Sequence, residues 1–149
     1  MDLITKLFDI DFAALVPELS VFLKLTRTLL ALAVLAGPIS LVTLGALYLF
    51  KPTPEANFRF GFRTYFGMGS VEAWRFSQKI AGLTFGALGA ALLIAMLIVV
   101  LCFMGKDLLQ VARASMISLF VQVGLILLGR LVPAVLCGVY FDKNGDRRR

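Results

Sequence analysis

Three long apolar stretches constrain this chain more than any other feature of its sequence. They cover residues 28–50, residues 80–104 and, less sharply bounded, residues 115–141. The first two contain no charged residue, and the third contains only Arg130. A helix rises about 1.5 Å per residue, so each stretch is long enough to cross a hydrocarbon core of roughly 30 Å. We therefore predict an all-α integral membrane protein with three transmembrane helices.

The composition agrees with this fold class and narrows the chemistry. Of 149 residues, 60% are hydrophobic and 16% are charged, which leaves no room for a separate water-soluble domain. Basic residues outnumber acidic ones, 15 to 9, and this balance on an apolar chain favours anionic lipid headgroups over nucleic acid. The chain has no histidine, the commonest metal ligand and neutral-pH base. We expect no enzymatic activity, no metal and no cofactor.

Segments with different patterns flank the membrane domain. In residues 1–24, apolar positions recur at helical spacing while Asp2, Lys6 and Asp9 share another face, which predicts an amphipathic interfacial helix. Pro17 is expected to break this helix before the first span begins. Residues 25–141 then form the three-span domain, and residues 142–149 are expected to be a solvated basic tail.

Two features of the spans predict how the helices pack. Pro38 cannot donate a hydrogen bond to the carbonyl four residues earlier, so the first span should kink, and Thr43 or a neighbouring helix can satisfy the freed oxygen. In the second span, small residues recur every fourth position at Gly82, Gly86 and Ala90. Such a face lets another helix backbone approach closely.

The longest connection lies between the first two spans and is rich in aromatic residues and arginine. Gly61, between two aromatic residues, predicts a tight turn or a close backbone approach. Ser70 is a candidate N-cap, so that the second helix begins near Val71 with Glu72 in its first turn. We expect the aromatic residues to lie at the level of the lipid headgroups. They are Phe58, Phe60, Phe62, Tyr65, Phe66 and Trp74.

Residues 54–82 carry an ordered motif that resembles the SdpI family. The pattern begins with Asn, aromatic-Gly-aromatic-Arg-Thr, and a Met or Leu with a Ser. It continues with acidic-x-Trp and then a basic residue and a glycine that open an apolar helix. In this chain its members are Asn57, Gly61, Arg63, Thr64, Glu72 and Trp74. Family members often have a histidine shortly after the tryptophan, where this chain has Gln78.

The resemblance implies a small bacterial inner-membrane protein, since the family is named for an immunity protein against a secreted toxin. The expected function is self-protection against a membrane-active peptide or toxin. The loop would either bind the toxin or shield the target of the toxin. The alternative is an accessory subunit of a larger membrane complex, such as a respiratory or transport assembly, and homo-oligomers fit either function. The candidate residues for binding a partner or lipid are Asn57, Arg59, Gly61, Arg63, Thr64, Glu72, Trp74, Arg75 and Arg130.

A second interpretation of the loop needs no ligand. Its aromatic residues and arginines could simply anchor the protein at the bilayer surface, with Arg59, Arg63 and Arg75 paired to Glu72 or to lipid phosphates. The basic residues also predict orientation. Nine lie on the side of this loop and the C-terminus, and five on the other, so we expect both loop and C-terminus in the cytoplasm.

Arg130 is a candidate functional residue because a charge inside a span costs about 2.5–3.5 kcal/mol at the bilayer centre. On a helical wheel it shares a polar stripe with Ser115, Ser118 and Gln122. One interpretation turns this stripe toward the bundle or another subunit. The other breaks the helix near Pro133 and leaves Arg130 close to a headgroup.

Overall fold

Three long helices make up the architecture of the protein. The computed structural model describes the backbone of residues 12–56 and 59–148, and side chains within those ranges from residue 18 onward. The helices are α1 (Phe12–Phe50), α2 (Val71–Leu101) and α3 (Leu108–Tyr140). Each is long and apolar enough to cross a membrane, which confirms the predicted all-helical, three-span fold. The described residues form no strand beyond one isolated bridge between Phe141 and Arg147.

The helices extend further than the apolar stretches that predicted them. α2 begins at Val71 instead of residue 80, and α3 begins at Leu108 instead of residue 115. At about 1.5 Å per residue the three helices are roughly 45–60 Å long, which exceeds a hydrocarbon core of about 30 Å. Hydropathy marks only the part of a helix that lies in hydrocarbon, so it did not reveal the polar ends. The start of α2 near Val71 was predicted from the Ser70 cap instead.

The predicted helix break at Pro17 is wrong. α1 is continuous from Phe12 to Phe50, so Pro17 lies inside it, and the predicted boundary after residue 24 does too. A proline removes only one backbone hydrogen bond, and near a helix start the turns that follow keep theirs. Residues 1–11 of the predicted amphipathic helix, with Asp2, Lys6 and Asp9, lie outside the described residues. Residues 12–24 continue directly into the rest of α1.

Close contact between glycine residues joins α1 to α2, the most extensively packed pair of helices. A Cβ atom added at Gly45 would lie 2.5 Å from the backbone nitrogen of Gly86, so the two backbones approach as closely as glycine allows. Gly82 packs in the same way against Leu49. The predicted third member of this face, Ala90, is exposed, and Gly89 is buried against α1 in its place.

A polar side chain of α3 completes the hydrogen bonding of α1 around Pro38. Pro38 has no N–H, so the carbonyl of Val34, four residues earlier, lacks its helical donor. The Gln122 side-chain nitrogen donates to this carbonyl at 3.0 Å, and both side chains are buried. Thr43 donates instead to the carbonyl of Ile39. Of the two predicted donors, the neighbouring helix is therefore the one that satisfies the freed oxygen.

We predict that a Gln122→Leu substitution lowers the free energy of unfolding by about 1–2 kcal/mol, because it leaves the Val34 carbonyl without a donor. Denaturant titration in micelles, followed by circular dichroism, measures this loss. In a Pro38→Ala background the same substitution should cost much less, since alanine at position 38 supplies its own backbone N–H. Equal costs in the two backgrounds would contradict the assigned hydrogen bond.

Candidate functional site

The loop between α1 and α2, residues 51–70, ends in a helix cap. The Ser70 hydroxyl accepts a hydrogen bond from the backbone N–H of Ala73 at 3.1 Å, and Glu72 lies in the first turn of α2. A negative charge there interacts favourably with the helix dipole. The prediction that Ser70 caps a helix beginning near Val71 is confirmed.

Trp74, one turn into α2, joins the start and the middle of the loop to the helix. Its side chain is completely buried, and its indole N–H donates to the carbonyl of Thr53 at 3.0 Å and to the Thr53 hydroxyl at 3.1 Å. The indole also packs against Gly61, which has a φ of +122°. A Cβ atom at Gly61 would lie 2.5 Å from the ring, so this position requires glycine for both its backbone angle and its space.

Gln78 binds the loop with both ends of its side-chain amide. Its oxygen accepts from the backbone N–H of Phe62 at 2.9 Å, and its nitrogen donates to the Phe62 carbonyl at 2.9 Å. Both residues are buried. The amide thus pairs with one residue of the loop as a neighbouring strand would, and it satisfies two backbone groups that have no water to bind.

Two hydroxyl groups complete the inner face of the loop. The Thr64 hydroxyl accepts from the backbone N–H of Gly67 at 2.9 Å, which closes a turn. The Ser77 hydroxyl donates to the carbonyl of Trp74 at 2.8 Å and is fully buried beside the loop. Thr64 was predicted as a binding residue, and the structure places it as a buried residue that holds the turn.

Ser77 was not among the candidate residues of this site, and Gln78 was named only as the residue at the position of the family's histidine. A signal was present, because residues 74, 77, 78, 81 and 85 lie at helical spacing on one face of α2. All five side chains are buried. Ser77 and Gln78 are the two polar residues on that face, and both lie close to Trp74. Helix packing alone would need only apolar residues there, so two buried polar residues indicate hydrogen bonds to the loop.

Part of the C-terminus folds against the loop, although five of the described residues of the predicted solvated tail, 143, 144 and 146–148, are exposed as that prediction requires. Phe141 is only 1% exposed and its ring contacts that of Phe76. The Ser70 hydroxyl donates to the carbonyl of Gly145 at 2.7 Å. The Asp142 carboxylate accepts two backbone N–H groups, from Asn144 and Asp146, and so closes the turn locally.

The loop and the C-terminus therefore lie at the same end of the bundle, as three antiparallel spans require. Arg148 extends this contact, with its guanidinium 5.9 Å from the centre of the Phe66 ring. The tail thus contacts the loop at Phe66 and Ser70. The cytoplasmic position of this end stays a prediction from the basic residues.

The aromatic residues of the loop do not act as a single headgroup belt. Trp74 and Phe62 are buried, and Phe62 packs edge-on against Phe85 of α2. Tyr65 is 74% exposed. Phe58 and Asn57 lie outside the described residues. Sequence spacing alone did not separate the aromatic residues that hold the loop from those that face outward.

The charged candidates lie on the outside of the site. Arg59, Arg63, Arg75 and Glu72 are exposed. Arg75 and Lys79 line a cavity of about 520 Å³ next to the two prolines that follow α1. The outer face of the loop is therefore basic, while its inner face is made of uncharged hydrogen-bonding groups.

Arg130 departs from the polar stripe in which the sequence placed it. Ser115, Ser118 and Gln122 are buried in the bundle, but Arg130 is exposed. It lines, together with Arg63 of the loop and Tyr48 of α1, an opening of about 570 Å³ that we call the arginine cleft. The fold thus brings Arg63 and Arg130 together, although they are far apart in sequence.

The comparison with known families supports the resemblance seen in the loop. The chain matches the SdpI/YfhL protein family over residues 55–137, a region that includes most of the loop, α2 and most of α3. No curated protein and no solved structure matches the chain. The match covers more than half of the 149 residues.

We predict that Gln78→Leu loosens the loop while the helices persist. The substitution keeps a similar volume but removes two hydrogen bonds, so the free energy of unfolding should fall by about 2 kcal/mol. Trp74 is the only tryptophan in the chain, and its emission should shift to longer wavelength as water reaches it. Gln110→Leu changes an exposed glutamine of α3 and is the matched control. Unchanged emission and stability in Gln78→Leu would contradict the assigned role.

Proposed function

Since this chain belongs to the SdpI/YfhL protein family, we propose that it protects a bacterial cell against a membrane-active peptide or toxin. The protein would act in the inner membrane, with the loop and C-terminus in the cytoplasm. It would bind the toxin, or shield its target, through the segment from Gly61 to Trp74, without a catalytic step.

The observation that carries this proposal is the division of the loop into two faces. The inner face is fixed by hydrogen bonds from Trp74, Gln78 and Ser70. The outer face presents exposed side chains, among them Arg63 and Tyr65. A surface that is already ordered loses little conformational entropy when it binds, so it can recognise a peptide with only a few contacts.

The chemistry of the outer face also suggests what it would bind. Tyrosine and arginine are the residues most often found at the energetic centre of protein interfaces. Together they suit a partner that has apolar side chains and acidic groups or a free carboxylate. A peptide that inserts into the bilayer would reach this face at the level of the headgroups.

Tyr65→Ala should remove protection if this face binds the toxin. We expect survival to fall about tenfold on toxin exposure, since an interface tyrosine commonly contributes more than 1.4 kcal/mol. The assay compares a deletion strain carrying wild-type protein, Tyr65→Ala or no protein, exposed to toxins from its own and neighbouring strains. Met104→Ala changes a similarly exposed residue in the turn that follows α2, so it is the matched control and should protect fully.

Two outcomes would contradict the proposal. One is equal survival of the deletion strain and the strain with wild-type protein against every toxin preparation. The other is full protection by Tyr65→Ala at normal protein levels, which would exclude this face as the binding surface.

One observation favours the alternative of an accessory subunit. No described side chain of α1 between residues 18 and 33 is buried, and large apolar residues there are exposed. They include Leu19, Val21, Phe22, Leu25, Leu29 and Leu32. A helix of a partner protein, or of a second copy, could pack on this part of α1. Affinity purification after gentle detergent extraction separates the two functions, because a stoichiometric large partner would support a subunit and recovery of this protein alone would oppose it.

A further inference from the structure

The arginine cleft combines two arginines with an apolar wall, and neither feature is needed to hold the loop in place. α1 and α3 share the least contact of the three helix pairs, and the cleft lies where these two helices and the loop meet. Its volume of about 570 Å³ is within the usual range for a site that holds a small molecule.

The cleft is polar at one end through groups that suit an anion. Arg63 comes from the loop, Arg130 from α3, and Tyr48 adds a hydroxyl group from α1. No carboxylate is present among the described residues that line it. Two guanidinium groups are well suited to a phosphate, because each presents N–H groups in a planar fork that pairs with two oxygens.

The rest of the cleft is apolar, and apart from Gly61 and Phe62 of the loop it belongs to the membrane-spanning helices. Leu41 and Leu44 of α1 face Ile126 of α3, and Phe85 of α2 also contributes to the lining. Water-soluble anions gain nothing from such a surface. A ligand that has both an anionic group and a hydrocarbon chain matches both parts.

The depth of the polar end also fits the surface of a bilayer. Tyr48 lies two residues before Phe50, where the charge-free stretch of α1 ends, which corresponds to about 3 Å along the helix. Arg130 lies deeper, but an arginine side chain can extend toward the headgroups from within a span. Both guanidinium groups can therefore meet a phosphate at its normal depth.

We propose that the arginine cleft is a binding site for an anionic phospholipid. Arg63 and Arg130 hold the headgroup phosphate, Tyr48 donates a hydrogen bond to it, and an acyl chain lies along Leu41, Leu44 and Ile126. A zwitterionic lipid carries a cation that the two arginines repel, so the site selects lipids with net negative charge. Binding of lipid at this cleft requires neither a toxin nor a partner subunit.

The test uses the full-length protein in an uncharged detergent, titrated with phosphatidylglycerol, with phosphatidylcholine, or with inorganic phosphate. Native mass spectrometry counts the bound lipid. We expect phosphatidylglycerol to bind at least about tenfold more tightly than phosphatidylcholine, and Arg63→Gln and Arg130→Gln each to weaken it about tenfold. Arg113→Gln removes an exposed arginine at the opposite end of α3 and should bind as the wild type does.

A second variant probes the apolar part of the cleft. Leu44→Trp fills the volume assigned to the acyl chain, so it should reduce lipid binding while both arginines remain. Emission of Trp74 and circular dichroism show that the arginine variants are folded. For Leu44→Trp, which adds a second fluorophore, circular dichroism alone serves this purpose.

Three results would overturn the proposal. The first is equal affinity for phosphatidylglycerol and phosphatidylcholine, which would mean that the cleft does not select anionic lipid. The second is an equal loss of binding in Arg113→Gln and Arg130→Gln, which would indicate that the anionic lipid is attracted non-specifically by the net positive charge of the protein. The third is displacement of the lipid by inorganic phosphate at similar concentration, which would make a free anion the ligand.

Discussion

The paired hydrogen bonds between the Gln78 amide and the backbone of Phe62 are the interaction on which the rest of the structure depends. Backbone N–H and carbonyl groups cannot remain unpaired where water is excluded, and a loop has no helical ladder to pair them. Gln78 supplies one donor and one acceptor at the required spacing. Phe62 can therefore pack on Phe85, Gly61 can lie against Trp74, and the cleft beneath the loop keeps its shape.

A second glutamine side chain pairs an unsatisfied backbone group deeper in the bundle. At Pro38 a helix lacks one donor, and a glutamine from another helix, Gln122, provides it. In both places a buried, uncharged side-chain amide replaces a backbone partner. A charged group would be costlier to bury at either position, and an apolar group would leave the backbone unsatisfied. The two arginines that line the cleft, Arg63 and Arg130, are at exposed positions.

The sequence predicted those features that depend on local chemistry. The length of the apolar stretches predicted the three spans, and Ser70 predicted the start of α2. Gly61 predicted a close backbone approach, which the structure shows against the ring of Trp74. The sequence did not predict features that depend on which face of a helix packs against another part of the chain. Trp74 looked like a headgroup anchor, although its indole is fully buried. The folding of the C-terminal residues onto Ser70 depends on contacts across 75 positions, which no local pattern reveals.

Hydrogen exchange at the backbone amide of Phe62 tests most directly the claim that the loop is a folded surface held by α2. The protein is reconstituted in lipid nanodiscs, and exchange is followed residue by residue with nuclear magnetic resonance. The account predicts that the Phe62 amide exchanges as slowly as amides in the middle of α2, because its hydrogen is bound to Gln78 and buried. Exchange at the rate of an unstructured peptide would contradict it and would leave the outer face without a fixed shape.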